Sequence, residues 1–254
     1  MRFIPSYLTV TAALAATTAA LGATAGPAAA VNGSHCPLPV FGPGPSYRPQ
    51  IRPANFSPNV DNPMFPLTPG KSLVYTGTKD NKQALNVFTT TSRTKVIAGV
   101  TTRVVEDRLY LDNTLEERTS DYYAQDSCGN VWYFGEDTAA LDPSGRVTST
   151  EGSFHAGVDG AQPGVFMQAR PEVGRRFRQE SSRGHAEDTF RALSLSAPLT
   201  VPAGAFPNAL RTEETTDLEP GVVDNKYYVR GIGEVKEVAV KGPREVLRLV
   251  EVIS

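Results

Sequence analysis

Trp132, Tyr133 and Phe134 run directly into Glu136 and Asp137, and Glu151, Asp159, Glu180, Glu187 and Asp188 follow further along the chain. Aromatic faces beside carboxylates suit three chemistries. Several carboxylate oxygens together with loop carbonyls make a calcium site, for which Glu136, Asp137 and Asp159 are candidates. A sugar ring can stack on Trp132 or Tyr133 while carboxylates bind its hydroxyls. Two carboxylates at suitable separation then cleave it, with Asp137, Asp159 and His155 the candidate acid and base. A concave pocket inside a curved sheet binds a lipid or another small molecule instead. The candidate ligand-binding set is Trp132, Tyr133, Glu136, Asp137, Asp159, Glu187 and Asp188, in which glycine flanks leave Asp137 and Asp159 accessible. The same residues also fit a solvated rim, since strand ends are rich in Asp and Glu and strand aromatics usually pack across to neighbouring strands.

Familiar catalytic machinery is absent from the sequence. There is no Gly-x-Ser-x-Gly elbow and no His-Glu-x-x-His, and His35, His155 and His185 are too scattered to begin a metal site. The chain carries 25 Lys and Arg against 27 Asp and Glu, a net charge of −2, with no basic run interleaved with aromatics. Nothing in that balance points to nucleic acid.

The elements that position these residues read as β. Leu85, Val87 and Thr89 alternate with Asn86 and Phe88, and Leu193, Leu195 and Ala197 alternate with Ser194 and Ser196, the period-two pattern of half-buried strands. Ala98-Gly99 and Asp112-Asn113 fit two-residue hairpin turns, and Cys128-Gly129-Asn130, Asp142 to Gly145, Pro202 to Gly204 and Gly242-Pro243 supply further turns. No window of a dozen residues sustains a helical period. The expected fold is therefore all-β: one antiparallel, strongly curved half-barrel or up-and-down barrel of roughly ten strands, spanning 70–254. Gly231 and Gly233 are expected at a bulge or bend. Gly152 to Pro171, rich in Gly and Pro yet holding Phe154, Val158, Val165, Phe166 and Met167, is expected to be an ordered irregular loop gating one end of the sheet.

Ahead of this domain, Arg2, the apolar run Leu8 to Gly22 and Ala28-Ala29-Ala30 have the pattern of a secretory signal peptide over 1–30. Residues 31–69 form a Pro-rich extended lead-in, whose end, Asn62 to Gly70, carries apolar residues able to plug a core. Export predicts that the two cysteines, Cys36 and Cys128, are bonded to each other. After Gly22 no apolar run is long enough for a transmembrane helix, so the expected product is a secreted or extracytoplasmic monomer.

Three blocks carry a resemblance. Asn62-Pro63-Met64-Phe65-Pro66-Leu67, Asp121 to Asp126 with Gly129 to Asp137, and Val201 to Phe206 with Lys226 to Gly233 together resemble a family of uncharacterised bacterial exported all-β proteins. The later blocks are similar to those of envelope proteins with lipoprotein-carrier-like, highly curved sheets. The resemblance implies a half-barrel and extracytoplasmic placement, and no activity comes with it. Three functional classes follow: a binding protein with a pocket for a small molecule, lipid or glycan; a carbohydrate-active hydrolase or lyase with paired carboxylates; and a structural envelope protein.

Overall fold

The computed structural model describes residues 37–254. The expected signal peptide and Cys36 lie outside the described residues. Sixteen strands follow in order: β1 (Phe56–Ser57), β2 (Ser72–Lys79), β3 (Lys82–Ile97), β4 (Val100–Leu111), β5 (Thr114–Asp126), β6 (Val131–Leu141), β7 (Val147–Ser149) and β8 (Phe154–His155). These continue as β9 (Gln162–Met167), β10 (Arg176–Arg178), β11 (Glu180–Ser181), β12 (Asp188–Val201), β13 (Gly204–Thr216), β14 (Val223–Val229), β15 (Gly233–Lys241) and β16 (Glu245–Ile253). Ten of them have seven residues or more, and no α-helix occurs among the described residues. They form one antiparallel sheet in the order β10-β12-β13-β14-β15-β16-β2-β3-β4-β5-β6-β9-β11. The last strand of the chain pairs with the first long one, β16 with β2. The sheet thus nearly closes into a barrel, and its one seam falls in the middle of the sequence, between β9 and β12.

Local chemistry explains the hairpins. Ile97 pairs with Val100 and Leu111 with Thr114 across the two expected turns. Their central residues have positive φ: 49° and 78° at Ala98 and Gly99, 48° and 67° at Asp112 and Asn113. This is the type I′ geometry whose twist matches the flanking strands. Asp80-Asn81 makes a third such turn, between β2 and β3.

The seam is closed by a single crossing segment. Arg176–Arg178 pairs with β12, and Glu180 and Ser181 then pair with Pro163 and Gln162 of β9, so the chain steps from one edge of the sheet to the other at Gln179. The step brings backbone very close: a Cβ on Gly164 would lie 2.2 Å from the carbonyl carbon of Gln179. Outside the seam, Arg178 donates to the carbonyl of Gly42 at 3.0 Å, and the Tyr47 hydroxyl donates to the carbonyl of Pro163 at 3.2 Å. The Pro-rich segment is therefore strapped across the seam.

Its end plugs the barrel as its apolar residues suggest. Val60, Phe65 and Leu67 are buried. The Asn62 amide donates to the carbonyls of Gly129 and Gln168, and the Gly231 amide donates to the carbonyl of Pro63.

Three sequence expectations are corrected. Gly152 to Pro171 is not one irregular loop, because Phe154–His155 and Gln162–Met167 are strands laid on β6. Gly164, which reads as a breaker, is there to admit the crossing backbone. Gly231 and Gly233 form the β14–β15 hairpin rather than a bend within a strand, since Val229 pairs with Gly233. The face carrying Leu193 and Leu195 is not the buried one: register shifts after Ala192, Ser194 and Ala197 turn β12, and Leu195 is 49% exposed.

Candidate functional site

A cavity of about 330 Å³ lies inside the curved sheet. Its wall holds ten carboxylates: Asp107 of β4, Glu117 and Asp121 of β5, Glu136 of β6, Glu180 of β11, Asp188 of β12, Glu214 of β13, Glu234 and Glu237 of β15, and Glu245 of β16. Only two basic side chains, Lys79 and Lys226, face them. The residues reach the lumen by strand parity. On β4 the buried Val105 and Leu109 flank Asp107, and on β13 Leu210 and Thr212 lead to Glu214.

The two lysines divide the lumen. Lys226 lies 3.2 Å from Glu214 and 3.7 Å from Glu237, and Lys79 lies 3.1 Å from Glu245. Burial works against the Lys226 ammonium, yet Glu214, Glu237 and Glu234 together hold its pKa well above the usual lysine value. On the opposite wall, Asp121, Glu136 and Glu180 form no ion pair among the described residues. Asp121 accepts a hydrogen bond from the Tyr133 hydroxyl at 2.6 Å, but burial and the charge of Asp107 raise its pKa to about 7. Burial likewise raises Asp107 to about 6, opposed by the Asn86 amide that donates to it at 2.5 Å. Burial, reinforced by neighbouring carboxylates, pushes Glu136, Glu180 and Glu234 well above the carboxylate range.

Aromatic rings adjoin this unpaired wall. Tyr123 and Tyr133 stack with centroids 4.8 Å apart, Phe166 stands edge-on to Tyr123 at 5.0 Å, and Phe65 of the plug lies 4.6 Å from Phe166. All four line the cavity. Tyr123 and Gln179 are each only 4% exposed and both line the cavity. Among the described residues neither the Tyr123 hydroxyl nor the Gln179 side-chain amide has a hydrogen-bond partner, while the Gln179 backbone amide donates to the carbonyl of Asp188 at 2.8 Å. The fully buried side-chain atoms without a hydrogen-bond partner are Gln168 Nε2, Arg178 Nη1, Arg191 Nε and Arg211 Nε.

The residues singled out from sequence scatter over this frame. Tyr133, Glu136 and Asp188 line the cavity, as does Glu180. Trp132 packs in the wall, 4% exposed, and its indole donates to Asp126 at 3.0 Å. Glu187 accepts from the Gly184 amide in a turn. Asp159 occupies an exposed turn with φ of 49°.

Asp137 follows Glu136 on the same strand and so projects from the other face of the sheet. A calcium site shared by the two is therefore excluded by geometry. More generally, no group of three or more His, Cys, Asp or Glu among the described residues is arranged to hold a metal ion. On the outer face Asp137 meets Lys95 at 2.9 Å, the Tyr122 hydroxyl at 2.5 Å and His155 at 2.9 Å. The structure thus brings together Asp137 and His155 of the candidate acid–base set, without Asp159 and away from the lumen, whose lining includes neither. His185 pairs with Glu151 at 3.2 Å on the exposed surface.

Sequence reading missed Asp107, Glu117, Asp121, Glu214, Lys226, Glu234, Glu237 and Glu245. A signal was available, because carboxylates stand at positions whose parity matches buried apolar neighbours. Asp107 between Val105 and Leu109 is the plainest case.

No family model and no curated protein matches the chain. Among solved structures, the chain is similar to a "putative exported protein with YmcC-like fold" from Bacteroides fragilis. The identity is 12% and the TM-score 0.43, over 75% of this chain and 99% of that one. It is also similar to a "putative lipoprotein" from Parabacteroides distasonis, at 9% identity and a TM-score of 0.40, over 75% and 98% of the two chains. Among the described residues no helix is long and apolar enough to cross a membrane.

Proposed function

We propose that this chain is an exported binding protein of the cell envelope or medium that holds a small polar molecule in the lumen of its curved sheet. The observation that carries the reading is the pair of unpartnered polar groups at the cavity wall, the Tyr123 hydroxyl and the Gln179 side-chain amide. Both residues are 4% exposed and line the cavity, so a molecule held there can supply the partner that the protein does not. The acidic lining supports the same reading, since ionisable groups strongly perturbed by burial gather at functional sites more than elsewhere. Export rests on the leader-like residues 1–30. The segment 152–171 contributes wall to the cavity through Phe166, and nothing in its strand pairing supports a gate.

A carbohydrate-active hydrolase has less support. Its acid–base residues Asp137 and His155 are engaged with Lys95 and Tyr122 on an outer surface, and Asp159 is elsewhere. A structural envelope role predicts no ligand at all. Native mass spectrometry of the protein recovered from its producing cells decides between binding and structure. The expected result is a non-covalent mass that is lost on denaturation. A bare chain in every preparation overturns the binding reading.

A further inference from the structure

We infer that the lumen takes an organic ammonium ion, an amine on a small apolar or aromatic body, seated between the Tyr123, Tyr133 and Phe166 rings and the Asp121, Glu136 and Glu180 carboxylates. This rests on the binding-protein reading and names the class of ligand.

Three observations converge. First, the lumen already holds one alkylammonium, its own Lys226, between Glu214 at 3.2 Å and Glu237 at 3.7 Å. The opposite wall presents the same carboxylate chemistry with no cation of its own among the described residues. Second, that wall is flanked by aromatic rings, and aromatic rings beside desolvated carboxylates are the surroundings that attract an ammonium through both charge and the ring quadrupole. An ammonium offsets the cost of ionising these buried acids, which neither an anion nor a neutral sugar does. A metal ion needs several oxygens converging at bonding distance, and no such group exists among the described residues. Third, the Tyr123 hydroxyl and the Gln179 side-chain amide give the ligand a place to hydrogen-bond. Both belong to residues only 4% exposed that line the cavity, and no side chain or carbonyl among the described residues partners them.

Size narrows the choice. At about 30 Å³ for each water-sized group, 330 Å³ accommodates roughly ten non-hydrogen atoms. Tyramine and spermidine both have about that size, the first with an aromatic body and the second with an aliphatic one.

The test is isothermal titration calorimetry of the full protein with tyramine and with spermidine, against 4-ethylphenol, which lacks the ammonium, and calcium chloride. The expected result is one-to-one binding of at least one amine and none of 4-ethylphenol. Glu136→Gln should weaken the amine by roughly tenfold or more, as loss of a buried charge partner does, and Asp137→Asn, on the outer face, should leave it unchanged. Tyr123→Phe keeps the ring and the fold while removing the unpaired hydroxyl, and is expected to weaken binding several-fold even if Glu136→Gln does not fold.

Binding of neither amine overturns the inference, as does amine binding indifferent to both lumen variants, or calcium binding that depends on Glu136. If native mass spectrometry then shows a retained neutral or anionic compound, the binding-protein reading stands and only the ligand class falls. A bare chain together with silent titrations removes both.

Discussion

Glu136 and Asp137 are neighbours in the chain and have opposite fates. Glu136 faces the lumen, where burial and other carboxylates resist its ionisation, whereas Asp137 is half-exposed and sits among Tyr122, Lys95 and His155. Burial alone would raise the Asp137 pKa, but the Tyr122 and Lys95 hydrogen bonds and the His155 charge bring it below the usual value. A contrast between two carboxylates of the same sheet checks this division. Asp121→Asn keeps an acceptor for the Tyr133 hydroxyl and removes a buried acid with a pKa of about 7. It should stabilise the protein by about 1–3 kcal/mol at pH 8 and by much less at pH 5. Asp137→Asn loses only a solvent-screened pair and should change stability by less than about 1 kcal/mol. Denaturant titrations at the two pH values decide. An Asp121→Asn protein as destabilised at pH 8 as at pH 5 would contradict the assignment of a strained acid. At this scale the sequence showed where acids and aromatics were dense but not which way each pointed, because facing depends on register. Gly135, with φ of 148°, and the shift between Tyr122 and Tyr123 reset that register within the densest stretch.

Turns were the most legible elements. Ala98-Gly99 and Asp112-Asn113 announce their hairpins because few residue pairs tolerate two consecutive positive φ values. Long-range contacts were the least legible. Gly164 reads locally as a strand breaker, while its actual task is to admit the Gln179 backbone across the seam, from a part of the chain fifteen residues away. Gly164→Ala forces a Cβ into that backbone. It is expected to cost about 3 kcal/mol or more, at the upper end of overpacking penalties, and to loosen the seam. Hydrogen exchange should show the added opening at β9 and β11, and a variant as stable as the parent would refute the crossing. The lead-in makes a second long-range tie testable. Cys128 lies in the β5–β6 turn, and a bond from it to Cys36 would anchor the strap whose Gly42 and Tyr47 already hold the seam. Alkylation of denatured, unreduced protein should label no thiol, and two labelled thiols would exclude the bond.

For the molecule as a whole, the all-β class and the curved, nearly closed sheet were legible, because period-two alternation and closely spaced turns leave few alternatives. The charge distribution was not. A net charge of −2 conceals ten carboxylates and two lysines turned inward, since outward-facing Lys and Arg balance the total. That hidden asymmetry sets how stability depends on pH. Asp107 at about 6 and Asp121 at about 7 have folded pKa values above those of the unfolded chain, and Glu136, Glu180, Asp188, Glu214, Glu234 and Glu245 are shifted in the same direction. Lys226 and Lys79 stay charged throughout this range, because both have pKa values raised above that of a free lysine. The folded state therefore binds more protons than the unfolded one between about pH 4 and 7. The stabilisation from these acids is complete below about pH 4 and is lost as pH rises through 6 and 7. Asp137 and Asp142 work oppositely, as their lowered pKa values favour the fold only above about pH 4. The two trends together place maximal stability near pH 4–5, so the melting temperature should fall steadily from pH 5 to pH 8. A bound ammonium would supply the missing counter-charge and flatten that fall, whereas a neutral ligand would shift the whole curve without changing its slope. Melting curves that are flat or rising from pH 5 to pH 8 in the ligand-free protein would mean that the lumen acids are ionised without penalty, and the asymmetry would then have no energetic consequence.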